Sequence, residues 1–592
     1  MNPFYCFIVT FSFYQAFIDN DDSEMSYKTL KVAINRACNG LRELGLREDD
    51  VFALHLPNTP HFVCVPPSTL YCTGPIRFSR VARVAKDAVV AGQVRLGHVF
   101  FVVLRCRTAF HAIANSGGIV TTSNPTYGPR ELAHQLRDTG ARFVLTLPMF
   151  KETVNAACEE AGCVEKAFYL GEERTFLQCE DDTPFTPPTM NPREKVLVMP
   201  FSSGTSGLPK GVELTHRNVV ANIHQLTADS EFNVSIFRDD VVMGLLPLFH
   251  IYGMTVIVST SLRVGATTVL MPKFDPENFL TKVQKHKVTF APIVPPVLLF
   301  LAKHPVVDRF DMSSLRVLIS GAAPLDAELT EVASKRLHAP VVQVRFPISA
   351  ISLFGGCLLS LLVAPIDCCV WVSFVYIYSY VSLVQGYGMT ESSPATLIST
   401  PERNRPGSCG VLLPNTEALI VDTETQRPLG PGSENRGELW VRGPQVMKGY
   451  HNNPEATAET LDSDGWLHTG DIAYCDEDGF FFVVDRLKEL IKVKGYQVAP
   501  AELEGLLLEM PEVADAAVIG IPSEREGEVP RAYVVRAKDS TITEEEVVSR
   551  MAEKTAAFKR LAGGVEFVDA IPKSASGKIL RRVLRDKFEG KE

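Results

Sequence analysis

The sequence predicts an α/β protein: a large N-terminal part of helix-covered sheets with a β-rich subdomain, then a small C-terminal α+β unit. Three observations carry that prediction. Short apolar runs alternate with helix-period stretches over much of the chain, the pattern of sheets covered by helices. From Glu417 the strands shorten and follow one another more closely. A chain of 592 residues is also longer than one hydrophobic core usually serves.

Taken in order, Tyr27 to Leu44 should be a helix, with Leu30, Ile34, Ala37, Leu41 and Leu44 on one face and Gly45 as a stop signal. Val51 to Leu56 reads as an apolar strand, turned by Pro57-Asn58-Thr59-Pro60. Val196 to Phe201 reads as a buried strand that empties into a Gly/Ser/Thr loop. Leu315 to Ser320 is another strand, turned by Gly321-Ala322-Ala323-Pro324 into a helix from about Asp326 to Leu337. Ala418–Val421, Glu438–Val441 and Phe480–Val484 are the short strands of the β-rich region. After Arg486 come strands at Ala516–Ile521 and Ala532–Val535 and a helix at Glu544–Phe558.

The balance of charge excludes one class of partner. A net charge of −10 without a basic face argues against nucleic-acid binding. Of 13 cysteines, Cys38, Cys158, Cys163, Cys179, Cys409 and Cys475 are scattered without C-x-x-C spacing. That indicates neither a zinc site nor a disulfide framework, and fits a reducing, cytoplasmic compartment. Met1 to Gln15 is aromatic and apolar but lacks the basic start and small-residue cleavage site of a secretory signal.

The chemistry concentrates in a few stretches. Ser202 to Val212 reads SSGTSGLPKGV. Backbone N–H groups and hydroxyls presented with little side-chain bulk suit a polyphosphate, and Lys210 adds a point charge. The spacing is not that of the common nucleotide P-loop, and composition alone would also allow a surface linker. PLFHIYG carries His250 and Tyr252; QGYGMTESSP spans Gln385 to Pro394. Tyr387, flat and flanked by glycines, could stack on adenine, Thr390 could bond a phosphate oxygen, and Glu391 could hold Mg²⁺. GWLHTGDIA puts Asp471 after a Gly-rich turn, where its two oxygens could accept from ribose hydroxyls. DRLKELIKVKGYQVAP and PKSASGKILRR follow, the second carrying Lys578 near the carboxy end. Taken singly, His250 passes for a core residue, Asp471 for a turn residue, and Lys492, Gln497 and Lys578 for surface residues.

In this order, the stretches resemble the adenylate-forming enzymes: acyl-CoA synthetases, 4-coumarate–CoA ligases, luciferases and adenylation domains. The resemblance implies an ATP-dependent carboxylate–CoA ligase, an acid–thiol ligase of the 4-coumarate–CoA ligase pattern that makes acyl-AMP and then acyl-CoA. It implies ATP, Mg²⁺ and coenzyme A as cofactors and a small carboxylic acid, aryl or medium-to-long chain, as partner. Ser202, Ser203, Gly204, Thr205, Ser206, Gly207 and Lys210 would bind the phosphates, Tyr387 and Thr390 the nucleotide, and Asp471 with Arg486 the ribose. His250, Lys492, Gln497 and Lys578 would be catalytic, Lys578 as a mobile lysine, and Glu391 would hold the metal. Tyr252, Ser320, Gly321, Ala322 and Ala395 would border the acyl pocket. The implied division is an N-terminal domain at 1–484, a hinge at 485–488 with Lys488 at its centre, and a small mobile domain at 489–592.

Two stretches depart from the pattern, at about 65–108 and 344–384. The first has one acid, Asp87, and no steady period; the second is rich in Phe, Leu, Val, Ser, Tyr and Cys. The second exceeds the roughly 20 residues a membrane span needs. No stable span is expected, because the stretch lies between a short strand at Ala339–Val342 and a nucleotide motif. Removing 344–385 rejoins Val341-Val342-Gln343 to Gly386, as in the resembled family. Both stretches read as retained intron sequence, with a lineage-specific insertion as the alternative, and the intron reading makes an inactive product the non-enzymatic reading of the chain. Among enzymes, a luciferase-like oxidoreductase and an amino-acid adenylating enzyme compete with the ligase. No carrier domain fits after Lys578, and the chain ends without a Ser-Lys-Leu address. Transcripts sequenced across codons 60–112 and 340–388 should lack both stretches; messages that uniformly keep them would overturn the intron reading.

Overall fold

Strands that are apolar on both faces build two large, mostly parallel sheets. The computed structural model describes residues 15–18, 24–56, 102–172, 174–202, 209–228, 236–271, 274–320, 332–333, 336–337, 382–401, 403–486, 489–493, 496–523, 525–538, 540–573 and 579–590. One sheet runs in the order Val411–Leu412, Ala395–Ile398, Ser382–Gly388, Val317–Ser320, Phe290–Ile293, Val241–Gly244, Thr267–Leu270, Gln15–Ile18, Glu24–Ser26. The other runs Gly449–Tyr450, Lys210–Thr215, Val196–Val198, Ile119–Thr122, Val51–His55, Phe143–Thr146, Lys166–Tyr169. Val51–His55, Phe143–Thr146, Phe290–Ile293 and Val317–Ser320 are buried from end to end, as parallel strands covered on both faces must be. Phe52 is fully buried, 5.4 Å between ring centroids from both Phe143 and Phe176. Each such ring pair adds about 0.5–1.5 kcal/mol beyond area burial.

The first helix spans Tyr27–Glu43, and Ser26 caps it by accepting from the Thr29 N–H. Its buried Tyr27 hydroxyl donates to the carbonyls of Ser261 and Ala266, tying the helix to the sheet beyond. A third sheet, antiparallel, holds Pro428–Leu429, Glu417–Val421, Gly437–Arg442, Leu467–Cys475 and Phe481–Arg486. Along Gly437–Arg442 buried and half-buried residues alternate, so one face packs inward and the other meets solvent. Most buried residues between Ile18 and Phe481 form one large core, with a satellite cluster around Val51, Ala53, Leu132 and Val144. A second core, from Ile491 to Val565, lies under the sheet of Tyr496–Val498, Ile491–Val493, Gly527–Arg536, Val513–Ser523 and Val565–Phe567. The α/β class with a separate small sheet is therefore as expected. Among the described residues no helix is long and apolar enough to cross a membrane.

Several expectations need correction. The apolar run Val196–Phe201 is two strands, Val196–Val198 and Phe201–Ser202, broken at Met199-Pro200 because Pro200 has no N–H to give a ladder. The helix expected over Glu544–Phe558 ends at Lys554; Thr555 is extended, and a 3₁₀ turn at Ala557–Lys559 follows. The helix expected from Asp326 lies mostly outside the described residues, and so does the strand at Ala339–Val342.

The two anomalous stretches also join the fold at their ends. Val102 to Thr108 begin a helix, Val102–Asn115, whose later residues Ala109, Phe110, Ala112 and Ile113 are buried against the first helix. Ser382, Leu383 and Val384 open the strand Ser382–Gly388 and pair in parallel with Val317, Leu318 and Ile319. Residues 57–101 and 338–381 lie outside the described residues.

That register gives a prediction. Deleting residues 344–385 joins Gln343 to Gly386 and offers Val341-Val342-Gln343 to the position now held by Leu383-Val384-Gln385, beside Leu318 to Ser320. The shortened chain should fold with a thermal midpoint at or above that of the full chain. A clearly lower midpoint would mean that the stretch contributes to the fold.

Candidate active site

The loop after Ser202 is the connection of a hairpin. Phe201–Ser202 pairs antiparallel with the start of Lys210–Thr215, so that Ser202 stands opposite Lys210. Ser203, Gly204, Thr205, Ser206 and Gly207 lie outside the described residues. The Lys210 ammonium sits 4.9 Å from the centroid of the Tyr450 ring. The Tyr450 hydroxyl donates to Glu391 Oε1 at 2.9 Å. Glu391 is 5% exposed, so it is no solvated residue behind a turn, and its carbonyl accepts from the Met447 N–H at 2.8 Å. Burial, then the nearby carboxylate, pushes the Tyr450 phenol up, so that it stays neutral and able to donate. Glu391 Oε2 accepts no bond from a described residue. One buried carboxylate with an oxygen to spare fits a hard cation that takes its other ligands from phosphate and water.

Tyr387 lies in the Ser382–Gly388 strand, and its hydroxyl donates to Asp471 Oδ2 at 2.6 Å. Gly388 admits no other residue, because a Cβ there would come within 1.9 Å of the Pro394 carbonyl oxygen. Asp471 is a strand residue, inside Leu467–Cys475, where a turn was expected. Gly470 at φ +69° and the Thr469 hydroxyl, which donates to the Leu439 carbonyl, absorb the irregularity within the ladder. Arg486 is its cross-strand neighbour, the last residue of Phe481–Arg486. Thr390 opens a 3₁₀ turn that leads into Glu391.

The acyl-side residues are less tightly gathered. His250 follows the Val241–Gly244 strand, and its Nδ1 accepts from the Tyr252 N–H at 3.3 Å. Tyr252 opens a π-helix, Tyr252–Ser259, of the kind that is frequent at functional sites. An apolar cavity beside it is lined by Leu54, Phe110, Thr122, Leu248, Phe249 and Met254. Ser320 is buried opposite Gln385, and its hydroxyl has no described partner. Ala395 is held by the Asn222 amide, which donates to its carbonyl at 2.8 Å and accepts from its N–H at 3.1 Å. Gly321 and Ala322 lie outside the described residues.

In the C-terminal sheet, exposed Lys492 stands opposite Gln497 across a hairpin, and its N–H donates to Glu528 at 2.8 Å. Lys488 and Lys578 lie outside the described residues. The stretch with Lys578 is closed at its base by a bridge between Lys573 and Ile579. Lys573 is paired with Asp515 at 2.6 Å, and Arg581 with Glu504 and Glu489.

Sequence reasoning missed Tyr450 and the cluster beside it. His451 Nδ1 lies 2.6 Å from Glu213 Oε1, and Lys448 lies 3.3 Å from Oε2. The segment GYHNNPEA shows turn residues that read as a loop, and no local signal links it to Glu391. The bond to Glu213 raises the His451 pKa, and the same bond lowers that of Glu213. A raised histidine adds stability that is whole below its unfolded pKa of about 6.5 and is lost as pH rises through the folded value. His451→Gln should therefore lower the thermal midpoint at pH 6, with a gap that narrows steadily toward pH 9. A gap independent of pH in paired melting curves would show that the ring acts by packing alone.

Comparison with known proteins identifies the family. Residues 79–344 and 364–451 match the AMP-binding enzyme family, and residues 502–578 match the AMP-binding enzyme C-terminal domain. The chain is 39% identical over 540 residues to a 4-coumarate–CoA ligase of Pinus taeda, covering 87% of this chain and 90% of that one. It is 36% identical over 593 residues to 4-coumarate–CoA ligase 1 of Solanum tuberosum, covering 98% and 92%. In fold it is similar to the ATP-bound MatB of Rhodopseudomonas palustris, with a TM-score of 0.77 at 24% identity over 99% of both chains. The chain belongs to the AMP-binding enzyme family and is a 4-coumarate–CoA ligase-like member of it.

Proposed function

We propose that the protein is an AMP-forming acid–thiol ligase that joins a carboxylic acid, of the 4-coumarate type, to coenzyme A through an acyl-adenylate. Its relatives' names support the reaction and the acid. The observation that supports the site most is the meeting of Lys210 and Glu391, from separate motifs, on one tyrosine.

In the first step a substrate carboxylate oxygen attacks the α-phosphorus of ATP, and the bond to pyrophosphate breaks. Both reactants are anions, so the barrier is largely one of repulsion and alignment. Tyr387 and Asp471, joined by their 2.6 Å bond, hold adenine and ribose, with Arg486 as the second ribose contact. The loop from Ser202 to Gly207 and Lys210 hold the β- and γ-phosphates, while Lys578 neutralises the carboxylate and the α-phosphate. Gln497 and Lys492 stand on the same side, and Thr390 bonds a phosphate oxygen. Glu391 would hold magnesium, which would supply positive charge to offset that of the phosphates. In the second step the small domain turns about Lys488 and withdraws Lys578, and His250 moves aside to admit the thiol. The CoA sulfur attacks the acyl carbon, and AMP leaves with the bonding electrons. Tyr252, Ser320, Gly321, Ala322 and Ala395 border the acyl group. The free thiols of Cys38, Cys158, Cys163, Cys179, Cys409 and Cys475 support a reducing compartment, the cytoplasm.

A panel of hydroxycinnamic and fatty acids, assayed for pyrophosphate release with ATP and Mg²⁺, tests the reading. Release should require one class of acid, and CoA should convert the adenylate to a thioester. Absence of any acid-dependent release would refute it. Lys578→Ala should cut acid-dependent pyrophosphate release by about 10²–10³, the scale of losing one transition-state donor. It should spare thioester formation from supplied acyl-adenylate, and equal loss of both steps would contradict the role given to this lysine.

A further inference from the structure

Lys210 and Glu391 carry opposite charges, and both touch Tyr450, but they make no ion pair with each other. Tyr450 is itself held firmly. Its backbone pairs with Val212, its N–H donates to Thr457 Oγ1 at 2.9 Å, and the Pro454–Thr460 helix begins just beyond it. Glu391 is fixed from the other side by the Met447 N–H on its carbonyl. An ammonium and a carboxylate in a half-buried cleft attract strongly, and a direct pair would cancel the pull of each on a ligand.

We propose that Tyr450 is a positioning residue: its ring occupies the space in which Lys210 and Glu391 would pair, and its hydroxyl holds Oε1 so that Oε2 is left for a metal. The inference rests on Glu391 being the carboxylate on the metal side of the site. The ring leaves the ammonium only a weak, polarisable partner that a phosphate oxygen readily displaces. The hydroxyl satisfies one oxygen of a buried carboxylate without adding a positive charge beside the other.

Binding to the full-length protein tests this, with Mn²⁺ followed by electron paramagnetic resonance in the presence of ATP, and ATP alone followed by calorimetry. Tyr450→Phe keeps the ring and removes the hydroxyl. It should weaken Mn²⁺ binding about tenfold, as loss of one hydrogen bond to a charged group does, and leave metal-free ATP binding unchanged. Tyr450→Leu removes the ring as well and should weaken metal-free ATP binding too. Wild-type Mn²⁺ affinity in Tyr450→Phe overturns the proposal. So does a parallel loss of ATP and Mn²⁺ binding in Tyr450→Phe that tracks a lowered melting temperature, the mark of a merely structural residue. Glu391→Gln separates the two levels. If it too leaves Mn²⁺ binding intact, the metal-side reading of Glu391 fails and the proposal falls with it. If it weakens Mn²⁺ binding while Tyr450→Phe does not, the proposal alone fails.

Discussion

The Lys210–Thr215 strand pairs with Val196–Val198, with Phe201–Ser202 and with Gly449–Tyr450. Neighbouring strands lie about 4.8 Å apart and side chains alternate between faces, so this pairing fixes who meets whom. Ser202 falls opposite Lys210 across one ladder, and Tyr450 falls opposite Val212 across another. Lys210 and Val212 share a face, which makes Lys210 and Tyr450 diagonal neighbours, within reach for a long side chain and a ring. Slipping the Gly449–Tyr450 pairing by one residue would turn the phenol to the other side and separate it from both Lys210 and Glu391. The meeting of Lys210 with Tyr450 is thus set by register.

The two carboxylates of the site share a device. Asp471 and Glu391 are each nearly buried, and each accepts from a tyrosine hydroxyl, Tyr387 at 2.6 Å and Tyr450 at 2.9 Å. Burying a carboxylate without a partner is costly, and a cation at bonding distance would remove its charge from use. At Glu391 the Tyr450 phenol meets the first requirement and avoids the second. It donates one strong bond to the ion, yet stays neutral. Both tyrosines belong to strands, so the carboxylates are aimed by backbone pairing as well as by the bonds they accept.

What the sequence made legible was local period and local chemistry. The Tyr27–Glu43 helix and the Val51–His55 strand follow from apolar spacing and stop signals, and they came out within a residue or two. The Gly-rich turn expected before Asp471 is part of a strand: glycine after a threonine looks like a turn, whereas a sheet can absorb a glycine at φ +69° as an irregularity within a long strand. Tyr450 was invisible because its importance comes from strands far apart in the chain, and a single sequence does not record pairing. Ser382 to Val384 were assigned to an anomalous stretch on composition, but a sheet position asks only for an extended apolar segment, and Leu383 and Val384 supply one. Lys492, Gln497 and Lys578 owe their reading to family resemblance; their surroundings alone would leave them among surface residues.

The arrangement of cores bears on how two successive reactions share one site. The C-terminal sheet packs on its own buried residues, from Ile491 to Val565, apart from the larger core. Among the described residues, an apolar cluster of Ile472, Leu490 and Ala499 with Val484 beside them joins the two parts, and a cavity bordered by Arg436, Glu502 and Lys559 opens next to it. Small, partly polar contacts between separately packed units cost little to break, whereas moving a strand out of a shared core would expose many apolar side chains at about 25 cal/mol per Å². An adenylation step needs a cation against two anions; a thiol that attacks afterwards needs that same place vacated. On the mechanism proposed above, the residues used in one step and not in the next belong to the small part, whereas Tyr387, Glu391, Tyr450 and Asp471 lie in the larger one.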